Sequence, residues 1–261
     1  MLGGLIGDVV GSRFEHSNHK SKIFDLFTFD NCPTDDSVMT LAIAKAVLDA
    51  PTKEELGLYS IRAMQELGRE YYYAGFGRKF YNWLFSNDPK PYYSWGNGAA
   101  MRISPVAYVA DTLTETIELS RIVTEITHNH PEGIKGAESV AVAIWESLHD
   151  WSKEEIRDYI CSHYYNIDFT LDEIRPEYSF HVSCQKSVPQ AFEAFFESND
   201  FEDSIRNAIS IGGDSDTIAC ITGSIAGAYY GVPQELVDQV LQYFDPELTA
   251  IIKQFAKKYM Q

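Results

Sequence analysis

IGGDSDTIACITGSIAGAYYGV, residues 211–232, combines an acidic start with a regular stripe of small residues. The stripe consists of Ala219, Gly223, Gly227 and Gly231, and residues four apart lie on one face of a helix. Glycine lowers helix stability by up to about 1 kcal/mol relative to alanine, so such a stripe is typical of a helix that a second helix approaches closely. We predict that this segment is the central helix of a helical bundle.

Most of the remaining chain also has helical patterns. Apolar residues recur at helical spacing from Ala137. Ser152 followed by Glu155 has the spacing of a capping box, which predicts a helix that starts near Lys153. Proline is favoured in the first helical turn because its missing N–H costs nothing there. Further helices are predicted after Pro33, Thr114, Pro189, Phe201, Pro233 and Pro246.

Alternating strand patterns are confined to two short stretches, residues 22–29 and residues 166–171. No repeat, low-complexity linker or break in composition divides the chain. We therefore predict an all-α protein that forms a single domain over residues 1–261. Hydrophobic residues make up 45% of the chain and charged residues 23%, which is ordinary for a globular protein and excludes a disordered or fibrous one.

The charge balance excludes several classes of partner. The chain has 21 Lys and Arg residues against 38 Asp and Glu residues, a formal net charge of −17, which repels nucleic-acid backbones and anionic lipid surfaces. No nucleic-acid or membrane partner is expected. The cysteines form no C-x-x-C pair, the N-terminal sequence lacks the features of a signal peptide, and the apolar run from Thr217 is too short to span a membrane. These features predict a cytoplasmic protein, and we expect a monomer.

Two acidic clusters begin two of the most apolar predicted helices. They consist of Thr34, Asp35 and Asp36, and of Asp214, Asp216 and Thr217. Either cluster alone is explained by helix capping, since Thr and Asp are favoured at helix N-termini. Four carboxylates in a core are costly unless cations neutralise them. Because oxygen donors without neighbouring His or Cys suit Mg²⁺ or Mn²⁺ rather than zinc or copper, the clusters predict a two-ion site if they meet.

A glycine-rich segment is a candidate for ligand binding. Gly96 and Gly98 flank Asn97, and the absence of Cβ atoms lets the backbone approach a ligand closely. The backbone amides of this segment and the Asn97 side chain are candidates to bind ligand oxygens such as those of a phosphate, as in other glycine-rich loops. A tight turn before a helix explains the glycines equally well. Arg102 is a candidate to contact phosphate, or to pair with an acidic residue.

Five segments in a fixed order carry a family resemblance. They are GLIGDVVGSRFE from Gly4, TDDSVMT from Thr34, GNGAAMR from Gly96, THNHPEGIKGA from Thr127 and IGGDSDTIA from Ile211. With these segments, which extend over nearly the whole length, the chain resembles the ADP-ribosylglycohydrolase family, which includes the dinitrogenase reductase-activating glycohydrolases. The resemblance implies a single-domain orthogonal helical bundle with two Mg²⁺ or Mn²⁺ ions that cleaves ADP-ribose from an acceptor.

The resemblance also implies roles for individual residues. The implied metal ligands are Thr34, Asp35, Asp36, Asp214, Asp216 and Thr217. Glu15 and Asp36 are implied as catalytic residues, because the family has a carboxylate beside the metals and the scissile bond at the position of Glu15. An ordinary surface glutamate is the alternative for Glu15. The implied substrate-binding residues are Asn97, Gly98, Ala99, Ala100, Met101, Arg102 and His128.

The implied reaction is hydrolysis of the glycosidic bond at the proximal ribose of ADP-ribose, on an ADP-ribosylated protein or small molecule. The alternative is a non-catalytic protein on the same scaffold, either crystallin-like or ADP-ribose-binding, since the resemblance extends to jellyfish lens crystallins. Loss of the ligand residues would favour that alternative. Because oxygen-donor residues occupy all of the implied ligand positions, the sequence favours the enzyme.

Overall fold

The computed structural model describes residues 1–260, and Gln261, the last residue of the predicted domain, lies outside them. Over the described residues the chain forms fifteen α-helices and three short 3-10 helices, at Ser12–Phe14, Lys53–Glu55 and Leu241–Tyr243. The α-helices are α1 (Leu2–Gly11), α2 (Asp35–Asp49), α3 (Leu56–Glu70), α4 (Arg78–Leu84), α5 (Gly98–Met101), α6 (Ser104–Ala107), α7 (Leu113–Glu125), α8 (Pro131–Leu148), α9 (Lys153–His163), α10 (Leu171–Ile174), α11 (Cys184–Phe196), α12 (Phe201–Ser210), α13 (Ser215–Tyr229), α14 (Gln234–Val240) and α15 (Pro246–Tyr259). The all-α prediction is confirmed.

Neither stretch with a strand pattern forms a strand. Residues 22–29 form a loop in which the carbonyl oxygens of Lys22 and Phe24 accept hydrogen bonds from the Arg206 guanidinium, at 2.9 and 2.8 Å. The Arg206 side chain therefore makes hydrogen bonds to this segment that a neighbouring strand would make in a sheet. Residues 166–170 are also irregular, and α10 begins at residue 171. Within residues 1–260 the only β-type pairing is one isolated antiparallel bridge, which joins residues 96 and 183.

The helix starts predicted near Pro33, Lys153, Phe201, Pro233 and Pro246 agree with the structure to within two residues, and three others are displaced. Helix α7 begins at residue 113, before Thr114. The Ser152–Glu155 capping box is present, and α9 begins at Lys153 as predicted. Helix α8 begins at Pro131, before the apolar pattern that starts at residue 137. The prediction of a helix start after Pro189 is wrong, because α11 begins at residue 184 and contains this proline. Proline inside a helix removes one backbone hydrogen bond, and here the residue is buried.

Helix α13 is the central helix, as predicted, and its residues 215–226 are all buried. The prediction that Gly231 belongs to the helical stripe is wrong, because α13 ends at residue 229 and Gly231 follows it with a φ angle of +76°. It packs against α1, α8, α11 and α12. The contact with α1 is the closest one. A Cβ atom on Gly3 would lie 2.0 Å from the carbonyl oxygen of Gly223, and one on Gly7 would lie 2.0 Å from that of Ala219. Because real Cβ contacts are essentially never this short, only glycine fits at positions 3 and 7 of this α1–α13 seam.

The seam continues to the start of α13. A Cβ atom on Gly11 would lie 2.5 Å from the Cα atom of Asp216. Backbone contact at this position holds the end of α1 against the first turn of α13, where the second acidic cluster lies. None of the helices in residues 1–260 is long and apolar enough to cross a membrane.

Candidate active site

A cleft of about 440 Å³ opens at the N-terminal ends of α2 and α13. Among the predicted site residues, those that line it are Glu15, Asp35, Asp36, Asn97, Gly98, Met101, Arg102, His128, Asp214, Asp216 and Thr217. The carboxylates of the two acidic clusters therefore meet, together with Glu15 and part of the glycine-rich segment. Thr34, a predicted metal ligand, does not line the cleft. The cleft has the size and mixed polar and apolar lining that are typical of a small-molecule site.

Two consecutive glycines shape the start of α13. Gly212 and Gly213 have φ angles of +70° and +76°, a left-handed conformation that favours glycine. Asp214 follows at the N-cap position, but its side chain makes no capping hydrogen bond. Its Oδ2 instead accepts a hydrogen bond from Asn97 Nδ2 at 2.6 Å. The Asp214 carboxylate therefore lines the cleft, where it contacts the glycine-rich segment through Asn97.

The start of α2 is held by a carboxylate from α1 that the sequence analysis missed. Asp8 accepts hydrogen bonds from the Thr34 amide at 3.0 Å, the Thr34 hydroxyl at 2.6 Å and the Ser37 amide at 3.1 Å. The signal in the sequence was a single carboxylate in the otherwise apolar, glycine-rich segment of α1. Asp36, in the first turn of α2, accepts a hydrogen bond on its Oδ2 from the Thr217 hydroxyl at 3.2 Å.

The carboxylates form two overlapping groups. In each group, one oxygen per residue lies within 4.8 Å of the others. The groups are Asp8, Asp36 and Asp216, and Glu15, Asp214 and Asp216. Asp216 belongs to both, and Asp36 Oδ1 is buried without a hydrogen-bond partner among residues 1–260. A buried oxygen without a partner and a shared carboxylate suit hard cations with oxygen ligands, so the residues fit two Mg²⁺ or Mn²⁺ ions.

We call the six carboxyl groups of this region the acidic centre. Its members are Asp8, Glu15, Asp35, Asp36, Asp214 and Asp216. Burial raises the pKa of every one of them, and repulsion between neighbouring carboxylates adds to the effect for Asp35, Asp36 and Asp216. The pKa of Asp35 rises to about 8. Bound cations would reverse this effect, because a nearby positive charge favours the ionised carboxylate.

Another wall of the cleft carries a positively charged side chain, Arg102, and a neutral one, His128, instead of carboxylates. Arg102 is buried, donates a hydrogen bond to Thr127 Oγ1 at 2.6 Å, and has its Cζ atom 5.6 Å from the centre of the Phe80 ring. Burial lowers its pKa to about 10, so the guanidinium stays charged at neutral pH. Its Nε has no hydrogen-bond partner among the described residues. Burial and the Arg102 charge lower the pKa of His128 well below 6.5, which keeps that ring neutral.

The glycine-rich segment is only partly in the cleft. Helix α5 turns the chain after Asn97, so that Gly98 and Met101 line the cleft. Ala99 and Ala100 are buried in the core and do not line it. A single helical turn necessarily points successive side chains in different directions, about 100° apart, which separates these alanines from their neighbours.

Several other cleft residues were missed at the sequence level. These are Arg78, Lys79, Phe180 and Val182. Arg78 and Lys79 add basic side chains to the lining of a strongly acidic protein, and Lys79 Nζ lies 5.9 Å from the centre of the Trp95 ring. The sequence signal was a pair of adjacent basic residues inside the aromatic-rich stretch around residues 71–95.

Comparison with known proteins identifies the family. The family model described as ADP-ribosylglycohydrolase matches residues 1–261. This chain belongs to the ADP-ribosylglycohydrolase family. Family membership places it among enzymes that hydrolyse glycosidic bonds.

Individual relatives of this ADP-ribosylglycohydrolase family member are distant. An uncharacterised protein of Archaeoglobus fulgidus is 34% identical over 158 residues, which cover 54% of this chain and 52% of that protein. The ADP-ribosylhydrolase ARH3 of Xenopus tropicalis is 25% identical over 306 aligned positions, covering 90% of this chain and 87% of that protein. The match therefore spans about half of the archaeal protein but most of the frog one.

A solved structure shares the fold. A chain of an ADP-ribosylglycohydrolase-related protein complex superimposes with a TM-score of 0.71, at 22% sequence identity. The superposition covers 99% of this chain and 96% of the other. The helical architecture is thus that of the family.

Proposed function

We propose that this chain is a metal-dependent hydrolase that removes ADP-ribose from an ADP-ribosylated protein or small molecule. The bond broken is the glycosidic bond at the proximal ribose. The observation that carries the proposal is the pair of carboxylate groups that share Asp216 inside the cleft. A cytoplasmic monomer remains our expectation for the protein.

Two Mg²⁺ or Mn²⁺ ions are the proposed cofactors. Their ligands would come from the side chains of Thr34, Asp35, Asp36, Asp214, Asp216 and Thr217, with Glu15 beside them. When bound, such ions polarise substrate hydroxyls and lower the pKa of a coordinated water. In the described structure the Thr34 hydroxyl donates to Asp8, so Asp8 also fixes the orientation of this proposed ligand.

Glu15 is the proposed acid or base. Its carboxylate lies in the second carboxylate group, beside Asp214 and Asp216, and its side chain is only partly buried. Burial raises the pKa of Glu15, and Asp214 and Asp8 raise it further. Because bound cations would lower this pKa again, the proposed role rests on the position of the carboxylate, which lies where it could donate a proton to a ligand in the cleft or accept one from it. Flanking carboxylates also suit the positive charge that develops on a sugar ring during glycosidic cleavage.

The basic wall is the proposed diphosphate side. Arg102 presents a permanent charge inside the cleft, and its Nε has no hydrogen-bond partner in residues 1–260. Guanidinium groups bind phosphate oxygens through geometrically matched hydrogen bonds. Asn97 is engaged with Asp214, so it links the proposed metal site to the glycine-rich segment. This arrangement orients an anionic ligand with its ribose toward the acidic centre.

The first experiment separates an enzyme from a binding protein. Purified protein and the Glu15→Gln variant would be incubated with a mono-ADP-ribosylated protein, with EDTA or with added Mn²⁺, and released ADP-ribose would be measured. We expect release only with metal, and a loss of about 10²-fold or more in Glu15→Gln, the size typical of a positioned acid or base. Release by fully chelated protein would contradict the metal model. Tight ADP-ribose binding without release from any acceptor would favour the binding protein.

The second experiment tests the glycine-rich segment. A Cβ atom on Gly98 would lie 3.6 Å from His128 Nε2 and 3.9 Å from Met101 Cε, so the fold has room for it. The added side chain would occupy cleft volume. We expect Gly98→Val to weaken ADP-ribose binding while Mn²⁺ binding and the melting temperature stay close to those of the parent, as titration calorimetry and thermal unfolding would show. Unchanged ADP-ribose affinity would mean that this segment is only a turn.

A further inference from the structure

Three loop segments beside Glu15 meet at one lysine. Lys20 Nζ donates hydrogen bonds to the carbonyl oxygen of Tyr178 at 2.6 Å and to that of Ile211 at 2.5 Å. Among residues 1–260, no carboxylate lies within ion-pair distance of this ammonium group. Its contacts are therefore with the main chain of two other segments. We call Lys20, Tyr178 and Ile211 the Lys20 junction.

The carbonyl of Ile211 is a suitable partner for a cation. Helix α12 ends at residue 210, and Ile211 is its C-cap residue. The last carbonyl groups of a helix have no partner within the helix and carry partial negative charge. An ammonium group at this end satisfies a carbonyl and interacts favourably with the helix dipole. The interaction does not depend on an acidic side chain.

A second contact holds the same loop to the turn before α13. Asn18 has a φ angle of +49° and accepts a hydrogen bond on its Oδ1 from the Gly213 amide at 3.1 Å. A Cβ atom on Gly212 would lie 2.3 Å from this oxygen. The loop that follows Glu15 is therefore seated directly on the two glycines that precede Asp214.

The segments joined in this way carry three parts of the cleft wall. Glu15 precedes the loop of Asn18 and Lys20, and Asp214 follows the glycine turn. Phe180 and Val182 follow Tyr178 and line the cleft. The Phe180 ring also lies 6.0 Å from the ring of His16, beside Glu15. Movement at the junction would change the position of the Glu15 carboxylate relative to Asp214.

We propose that Lys20 is a positioning residue that holds Glu15 against the acidic centre by joining these three segments through their backbone carbonyls. The inference rests on the proposed function for its catalytic consequence. The structural part of the proposal is independent of any activity. It states that one ammonium group holds together residues 15–20, 178–182 and 211–214.

The first arm of the test measures the segments directly. Lys20→Met keeps the length of the side chain and removes the charge and the donors, whereas Lys20→Arg keeps both. Lys22→Met is the matched control, since Lys22 lies two residues away and pairs with Asp203 at the surface. Hydrogen exchange followed by mass spectrometry would compare the variants, and far-UV circular dichroism would confirm that each is folded.

In Lys20→Met we expect amides in residues 16–22, 178–182 and 211–214 to exchange about tenfold faster, as expected for lost hydrogen bonds to a charged group. Lys20→Arg should stay within about threefold of the parent, and Lys22→Met should leave residues 178–182 and 211–214 unchanged. Equal exchange of residues 178–182 and 211–214 in Lys20→Met and the parent would overturn the proposal, whatever the protein catalyses.

The second arm asks whether the junction acts through Glu15. We expect Lys20→Met to lower kcat for ADP-ribose release about tenfold with little change in KM, and Lys20→Met with Glu15→Gln to be within about twofold of Glu15→Gln alone. Multiplicative losses in the double variant would show that Lys20 does not position Glu15. A parent protein that releases no ADP-ribose would refute the proposed function, and the exchange arm would still decide whether Lys20 fastens the segments.

Discussion

The two ends of α13 both lie against α1, but they have opposite effects on the stability of the fold. Toward its C-terminal end, Gly223 contacts the backbone of Gly3 and contributes only close packing. At its N-terminal end, Asp216 and its neighbours crowd carboxylates into a buried cleft. The first end gains stability from close contact. The second loses stability through desolvation and repulsion, which is typical of a site arranged for a ligand.

The two ends depend on each other because α1 runs along both. The same helix carries Gly7 in the seam and Asp8 in the acidic centre. Close approach of α1 and α13 therefore sets the separation of Asp8 from Asp216. A packing motif without any functional group thus determines the geometry of the proposed metal site.

The strongest test of this contrast is Asp216→Ala, which removes the carboxylate that both groups share. We expect the rate of ADP-ribose release with Mn²⁺ to fall about 10³-fold, a loss of the size seen when one electrostatic contact to the reacting groups is removed. We also expect the metal-free variant to melt about 3 °C above the metal-free parent, because a repelling buried carboxylate is gone. Activity assays and thermal unfolding in EDTA measure the two effects.

Asp49→Ala is the control for this prediction, since Asp49 pairs with Lys45 at the surface and such pairs contribute little. It should change neither quantity appreciably. A metal-free Asp216→Ala protein that is less stable than the parent would show that the acidic centre is part of the structural core, and the contrast between the two ends would not hold.

The next largest effect on stability is expected from a substitution in the α1–α13 seam. In Gly7→Ala the new Cβ atom would lie 2.0 Å from a backbone carbonyl oxygen that cannot rotate away. Helices α1 and α13 must then separate, and we expect the free energy of unfolding to fall by about 3 kcal/mol, at the upper end for overpacking. Urea unfolding measures the change, and Mn²⁺ titration of the folded variant should show weaker binding because Asp8 moves with the helix.

Gly57→Ala is the matched control, because Gly57 also lies inside a helix but its Cβ atom would lie 3.3 Å from a flexible methyl group, Ile122 Cγ2. Alanine is the better helix former, so this variant should be as stable as the parent or slightly more stable. Equal destabilisation by both substitutions would mean that helix geometry in general, rather than the seam, is responsible.

The sequence predicted the parts of the fold that depend on local chemistry. Caps and prolines marked the starts of α9, α12 and α15, and the glycine stripe identified α13 as central. The partner of that stripe was not predicted, although Gly3, Gly7 and Gly11 repeat the same spacing in α1. Local patterns show that a helix expects a close neighbour, but they do not say which helix it is.

The site was predictable to a similar depth. The acidic clusters were named because their residue types are unusual in apolar surroundings, and Glu15 was named because the family resemblance implies a carboxylate at that position. The structure brings them together. Asp8 was missed because a single aspartate in a helix has no characteristic spacing. The positions of Phe180 and Lys20 follow from loop contacts between residues more than 150 positions apart, which no local pattern encodes.

The smallest expected change in stability concerns Glu146, a buried carboxylate outside the cleft that can be compared with those of the acidic centre. Glu146 in α8 is buried, and neither of its oxygens has a hydrogen-bond partner among the described residues. Burial raises its pKa from 4.5 to about 8. A group with a raised pKa in the folded state is ionised more easily in the unfolded chain, so its contribution to stability is lost as pH rises from about 4.5 to about 8.

Glu146→Gln should therefore be more stable than the parent at pH 9, by on the order of 2 kcal/mol, and should show no such gain at pH 4.5. Urea unfolding of the parent and the variant at the two pH values measures the difference in stability. The acidic centre contributes equally to both proteins, so its contribution cancels.

Glu138→Gln is the control on the same helix. Glu138 is paired with Arg121 at 2.8 Å and accepts a hydrogen bond from the Tyr164 hydroxyl at 2.9 Å, so its loss should lower stability at pH 9. If both substitutions lowered stability at pH 9, a buried carboxylate without a partner would not be destabilising in this protein. The raised pKa values of the acidic centre would then no longer support a site arranged for cations.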